Sequence, residues 1–134
     1  MKSNASMPSS AVIPQLPYPS VTEAAAWLER TFGFSVRLAI GDHRIQMNAE
    51  GGHVVLTQAD EAPVRCAVMI RVEDVDAHHV HAVAAGAQAT GPPQTFPYGE
   101  RQYSVIDCGG HVWTFSQSIE DIAPESWGGR SGKL

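Results

Sequence analysis

At 134 residues the chain has the length of one ordinary domain, enough to bury a core without disulfides or a structural metal. An apolar content of 43% excludes global disorder. The net charge of −5 at pH 7 argues against nucleic acid or an anionic membrane as a partner, and no apolar run reaches bilayer-spanning length. Cys66 and Cys108 lie far apart with no CxxC spacing, which reads as two reduced thiols in a cytoplasmic protein.

Residues 1–10 are rich in Ser, Asn and Pro, lack the apolar stretch of a secretory signal, and are expected to form a flexible lead. Residues 12–18 predict a strand in which Pro14 and Pro17 each remove a backbone donor, which suits a sheet edge. Ser20 and Glu23 have the spacing of a capping box, and the helix they open runs past Trp27 and Leu28 to a stop at Gly33. Strands follow over 34–40, 44–48 and 53–58, separated by turns at Gly41-Asp42 and Glu50-Gly51-Gly52. After a polar linker at 59–63 the order repeats. Residues 65–72 predict a strand with Cys66, Val68, Ile70 and Val72 at alternate positions, and Asp74 or Asp76 caps a helix over 77–85 closed by Gly86. A short strand at 88–90, a Pro-rich loop at 91–99, a strand at 101–106 and a last strand after Gly109-Gly110 complete the pattern. The tail, 118–134, is polar, with Ile119, Ile122 and Trp127 spaced to anchor it across the domain or a partner subunit.

The tetrapeptide Gly-Gly-His-Val occurs at 51–54 and again at 109–112. The offset between halves is 54 from Val21 to Val75 and 58 from Gly52 to Gly110, a growth that the longer loop before the penultimate strand absorbs. The chain therefore reads as an α+β domain, 11–117, of two βαβββ modules at 12–58 and 65–117, which form a curved mixed sheet around a central cavity.

Three segments carry a resemblance: Glu29-Arg30-Thr31-Phe32-Gly33-Phe34, Val72-Glu73-Asp74-Val75-Asp76, and the run 98–115, which closes in Asp107-Cys108-Gly109-Gly110-His111. In order and spacing the chain resembles the vicinal oxygen chelate superfamily, the glyoxalase/bleomycin resistance/extradiol dioxygenase fold. The resemblance implies a cavity between the modules and, in the family's metalloenzymes, His or Glu ligands on the first and last strand of each module. Carried over, those positions fall on Ile13, Ala67, Leu56 and Thr114, none of which is a usual side-chain ligand; a one-residue slip adds only Cys66. The resemblance thus implies the fold without its metal site, no cofactor, and a homodimer.

With Leu56 and Thr114 in the cavity, as the resemblance implies, alternation along the strands adds Val54 and Val112 and leaves Val55, Trp113 and Phe115 under the helices. Gln15, Met69 and Arg71 join the cavity from the first strands. Arg101 and Tyr103 share one face of their strand, where a guanidinium for an anionic group and a phenol for stacking sit side by side; alternatively Arg101 pairs with Glu100 or Asp107 and Tyr103 packs. The ligand-binding set is Gln15, Leu56, Met69, Arg101, Tyr103 and Thr114. His78 and His81 share a helix face while His79 diverges; lacking a carboxylate partner, they read as solvent-exposed. His53 and His111 read as turn-stabilising, and no histidine is spaced to activate either cysteine. The function expected is binding of a small organic molecule in an apolar cavity. The alternatives are a glyoxalase- or dioxygenase-like lyase or oxidoreductase with a displaced metal or metal-free site, and an interaction module with a closed cavity.

Overall fold

The computed structural model describes residues 2–60 and 64–132; the parts of the expected lead, linker and tail at 1, 61–63 and 133–134 lie outside them. The first module comprises β1 (Gln15–Tyr18), α1 (Val21–Phe32), β2 (Ser35–Ile40), β3 (Arg44–Ala49) and β4 (Gly52–Gln58). The second comprises β5 (Ala67–Arg71), α2 (Val75–Ala84), β6 (Gln88–Ala89), β7 (Gln94–Thr95), β8 (Glu100–Ile106) and β9 (Val112–Ser118). This is the expected pair of βαβββ units, with β7 as an addition inside the Pro-rich loop. The first sheet runs β1-β4-β3-β2 and the second β5-β9-β8-β6, with β7 also paired to β8. In both, the first strand pairs in parallel with the last. β1 sits at a free edge, as Pro17 requires. Pairing continues past the formal ends of β1 and β5, because Val55 N–H donates to the Pro14 carbonyl and Val112 N–H to that of Cys66, both at 2.9 Å.

The helices start as their sequences dictate. Ser20 Oγ accepts from Glu23 N–H at 3.2 Å and Gly33 closes α1 at φ 75°. Of the two candidate caps for α2, Asp74 is used, its Oδ1 accepting from Ala77 N–H at 3.0 Å. A glutamine at the end of each module's last strand satisfies another free helix donor: Val21 N–H reaches Gln58 Oε1 at 3.2 Å, and Val75 N–H reaches Gln117 Oε1 at 3.0 Å.

One core serves both modules. Phe32, at the end of α1, contacts Phe34, Trp113 and Phe115 with ring centroids 5.5, 5.6 and 4.7 Å away, so the helix of the first module packs against the last strand of the second. The histidines of α2, expected to be solvent-exposed, belong in part to this core. His78 is half-buried, with Nδ1 2.5 Å from the Tyr103 hydroxyl and its ring 4.0 Å from Phe115. Burial, with His81 nearby, pushes its pKa down to about 4. His81 Nε2 lies 3.1 Å from the Arg30 carbonyl, to which it donates, joining the two helices. Tail residues pack on the loop before β8: Ile119 N–H donates to the Gly99 carbonyl at 2.9 Å, and Trp127 lies 5.3 Å from Tyr98. Among the described residues no helix is long and apolar enough to cross a membrane.

The modules are also joined through a buried carboxylate. Asp107, 6% exposed, accepts at Oδ1 from Gly109 and His111 N–H, both at 2.9 Å, and at Oδ2 from the Tyr18 hydroxyl at 2.5 Å and Trp113 Nε1 at 2.8 Å. Burial first, and the Asp107 charge second, raise the Tyr18 phenol well above its ordinary value, so it stays a donor. His111, fully buried, accepts from Cys66 N–H at Nδ1 (2.9 Å) and therefore donates from Nε2 to the Pro17 carbonyl (2.6 Å). It ties β1 to the entry of β5, whereas the turn itself is stabilised by Asp107.

Asp107→Ala leaves buried donors unpaired and is expected to cost about 3 kcal/mol or more in urea unfolding, against about 1–2 kcal/mol for Tyr18→Phe. His78 is held neutral in the fold below its unfolded value near 6.5. Its contribution is complete above that value and is lost as pH falls toward about 4. Melting temperature should therefore drop across this acidic window, and His78→Phe should flatten part of the slope.

Candidate functional site

The two Gly-Gly-His-Val segments close different turns, and this sets which residues any site contains. In the first, Ala49 pairs with Gly52, and the residues between them, Glu50 and Gly51, both have positive φ (49° and 82°). That is a type I′ turn. In the second, Asp107 N–H bonds to the His111 carbonyl at 2.8 Å across Cys108, Gly109 and Gly110, and only Gly110 has positive φ (86°). That turn is one residue longer. Gly51 is therefore the counterpart of Gly110, the true offset at the last strands is 59 (from 51 to 110) rather than 58, and Gln58 and Gln117 obey it. A slip of one residue exchanges the faces of a strand.

Leu56, expected in the cavity, accordingly lies in the core. It is fully buried opposite Leu16 and Ile45. The outer face of the first sheet instead carries Gln15, Val55, Thr57, His53, Gln46 and Asn48, as the register pairs require. In the second module the expected parity holds: Thr114 is on the outer face with Met69 and Ser104, and Trp113 and Phe115 face the helices. Thr114 Oγ1 is 2.7 Å from Ser104 Oγ, and the same face carries a further chain from Gln102 to Ser116 to Glu100 at 3.0 and 2.7 Å. Hydrogen bonds from Ser118 and Ser116 hold the Glu100 carboxyl below its usual range against an opposing desolvation.

Arg101 and Tyr103 do share a face, and it is the face that α2 covers. Arg101 grips Asp76 of α2 through Nε (3.0 Å) and Nη2 (2.9 Å) and reaches Thr95 at 3.0 Å. Tyr103 is 4% exposed and bonded to His78, and burial raises its phenol above the ordinary range. Both are thus turned away from the outer face that holds Thr114. The partner of Arg101 is Asp76 rather than Glu100 or Asp107, and sequence spacing carried no signal for that pairing.

The cleft between the modules has a volume of about 280 Å³. Val12 and Pro14 wall one side, Met69 and Arg71 on the free edge of β5 the other, and Ser10 and His53 supply polar groups 2.6 Å apart. Apolar walls with a few convergent polar groups are the usual make-up of a small-molecule site. Of the ligand-binding residues expected from sequence, this cleft contains Met69. His53 entered it unforeseen because the shorter turn rotates it to the outer face.

At the metal positions of the resembled family this geometry offers no set of side-chain ligands. Ile13 and Ala67 have no donor atom, Leu56 is sealed in the core, and the Thr114 hydroxyl is engaged by Ser104. Among the described residues no group of three or more His, Cys, Asp and Glu is arranged to hold a metal ion. Cys66 and Cys108 are free thiols. Desolvation, then the Asp107 carboxylate, pushes the Cys108 thiol up to about 11, so it is a poor nucleophile.

A family model described as Glyoxalase/Bleomycin resistance protein/Dioxygenase superfamily matches residues 12–115. Among solved structures, TioX from Micromonospora sp. ML1 is 32% identical with a TM-score of 0.74, the alignment covering 83% of this chain and 100% of that one. A bleomycin resistance determinant encoded on transposon Tn5 matches at 15% identity and TM-score 0.70, over 82% and 98% of the two chains. The bleomycin-binding protein of bleomycin-producing Streptomyces verticillus, solved with copper(II)-bleomycin, matches at 19% identity and TM-score 0.68, over 84% and 97%. A comparison with curated proteins finds no match. The duplicated βαβββ architecture and a family match that spans both modules place the chain in the glyoxalase/bleomycin resistance protein/dioxygenase superfamily.

Proposed function

We propose that this chain binds a small organic molecule in the cleft between its modules and does so without a protein-held metal. The observation that carries the reading is the pairing of an apolar cleft rimmed by His53, Ser10 and Arg71 with family ligand positions whose residues lack free donors. Apolar burial against Val12, Pro14 and Met69 supplies affinity, and the few polar groups orient the ligand. A relative of the same fold was solved in complex with copper(II)-bleomycin, which supports an organic ligand as the class. A homodimer goes with this reading. Ala67, Met69 and Arg71 are exposed on the outer face of the second sheet, where a second copy would supply the wall that one chain lacks.

The test is thermal shift against a compound panel that includes metal-free and copper-loaded bleomycin, together with a native mass spectrum of the purified protein. A true ligand at about a hundredfold excess over Kd adds about 2.7 kcal/mol of stability, which reads as a shift of several degrees. Met69→Asp should weaken that ligand by roughly tenfold, about 1.4 kcal/mol. Tightly held divalent metal at one equivalent in the native spectrum would overturn the metal-free reading. Light scattering at micromolar concentration decides the dimer.

A further inference from the structure

The outer face of the first sheet is open by architecture, yet Val55 and Gln46 on it are 3% and 2% exposed. The chain's own N-terminal segment lies against this face, bonded to Gln46 and running on into the backbone partner of Val55. Residues Asn4 to Met7 form a turn closed by a 3.1 Å bond from Met7 N–H to the Asn4 carbonyl, and it points two neighbouring carbonyls at the sheet. Arg37 Nη2 donates to the Ala5 carbonyl at 3.0 Å, and Gln46 Nε2 donates to the Ser6 carbonyl at 2.9 Å. Pro8 is buried, Ser10 Oγ meets His53 Nδ1 at 2.6 Å, and the Pro14 carbonyl takes Val55 N–H at 2.9 Å.

The donors are built for the task. Arg37 is the extra residue of a β-bulge, where the register between β2 and β3 jumps from Val36 to Leu38. A bulge re-aims a side chain that regular pleating would direct elsewhere. Arg37 Nη1 donates to Gln46 Oε1 at 2.5 Å, which orients the Gln46 amide so that its N–H faces outward. Guanidinium and amide thus form one fork of donors on a buried platform, and an amide carbonyl is its matched acceptor.

We propose that this face is a recognition site for peptide-like molecules, in which Arg37 and Gln46 bind two neighbouring amide carbonyls and an apolar residue takes the seat of Pro8. In the resting chain residues 4–10 occupy it in cis. The segment's continuation, Ser10 to Pro14, walls the cleft described above, so a peptidic ligand enters by displacing the segment. This deepens the proposed small-molecule reading and rests on it for the identity of the cleft. The site's self-occupation is a separate observation. A segment that holds the site about nine-tenths of the time weakens an incoming competitor by about tenfold.

The probe is the acetylated, amidated peptide of residues 2–11, titrated by calorimetry into the full-length protein. It should bind the double variant Pro8→Gly, Ser10→Ala about tenfold more tightly than it binds the wild type. Adding Gln46→Leu to that variant should remove the gain, and Arg37→Ala, which spares the core, should do the same. Near-ultraviolet circular dichroism of Tyr18 and Trp113 verifies the fold of each variant. Equal affinity in wild type and double variant, or a gain that survives both Gln46→Leu and Arg37→Ala, would overturn the proposal. Because no panel compound is used, a failed compound screen with a successful peptide titration sinks the cleft reading alone, and the reverse result sinks this one alone.

Discussion

The carboxylate of Asp107 organises both the turn and the junction. Its Oδ1 takes the two backbone donors of the turn between β8 and β9, and its Oδ2 takes Tyr18 from the other module and Trp113 from the core. Four donors on one buried group are satisfied only if the turn spans three residues and β1 lies against it. The longer turn then sets the register of β9, and with it the face on which Thr114 and Ser116 appear. Without such an acceptor the first module closes its hairpin in two residues, using positive φ at Glu50 and Gly51. The modules are copies in topology and differ by one residue where the face of the last strand is decided.

That single residue decides which side chains of β4 and β9 reach the outer faces, and the faces differ in chemistry. In the second module the outer face is a band of hydroxyls and amides bonded among themselves, from Glu100 through Ser116 and Gln102 to Ser104 and Thr114. In the first it carries His53, Gln46 and Val55, and the N-terminal segment lies over it. Self-satisfied polar groups have little residual demand for a ligand, whereas donors held by a displaceable segment keep theirs. The chemistry of the two halves therefore diverges although their folds match.

The aromatic and histidine contacts between the helices follow from the same economy of burial. Phe32 reaches across to Trp113 and Phe115, and His78 fills the adjoining space with its ring while Tyr103 satisfies one nitrogen. Its other nitrogen has no partner among the described residues, which penalises the charged form and is in keeping with His78 held neutral by burial. Arg101 and Asp76 close the outside of the same seam. Residues that look like a binding pair or a metal cluster in the sequence are here the fastening of α2 to its sheet.

Local physics was legible in the residues themselves. Ser20 and Asp74 as caps, Gly33 as a stop, Pro17 at an edge and the duplicated βαβββ order each depend on near neighbours, whereas Met69 and Thr114 take their expected face from the family resemblance combined with alternation. Tertiary structure decided the rest. Leu56 went to the core because a turn one residue shorter reverses strand parity, and identical Gly-Gly-His-Val text carries no mark of turn length. Arg101 and Tyr103 turned toward α2 because their partners, Asp76 and His78, lie 25 residues away in sequence. The N-terminal segment found its seat because a bulge aimed Arg37 at it. Contacts of that range are set by packing, and only the folded chain brings them together.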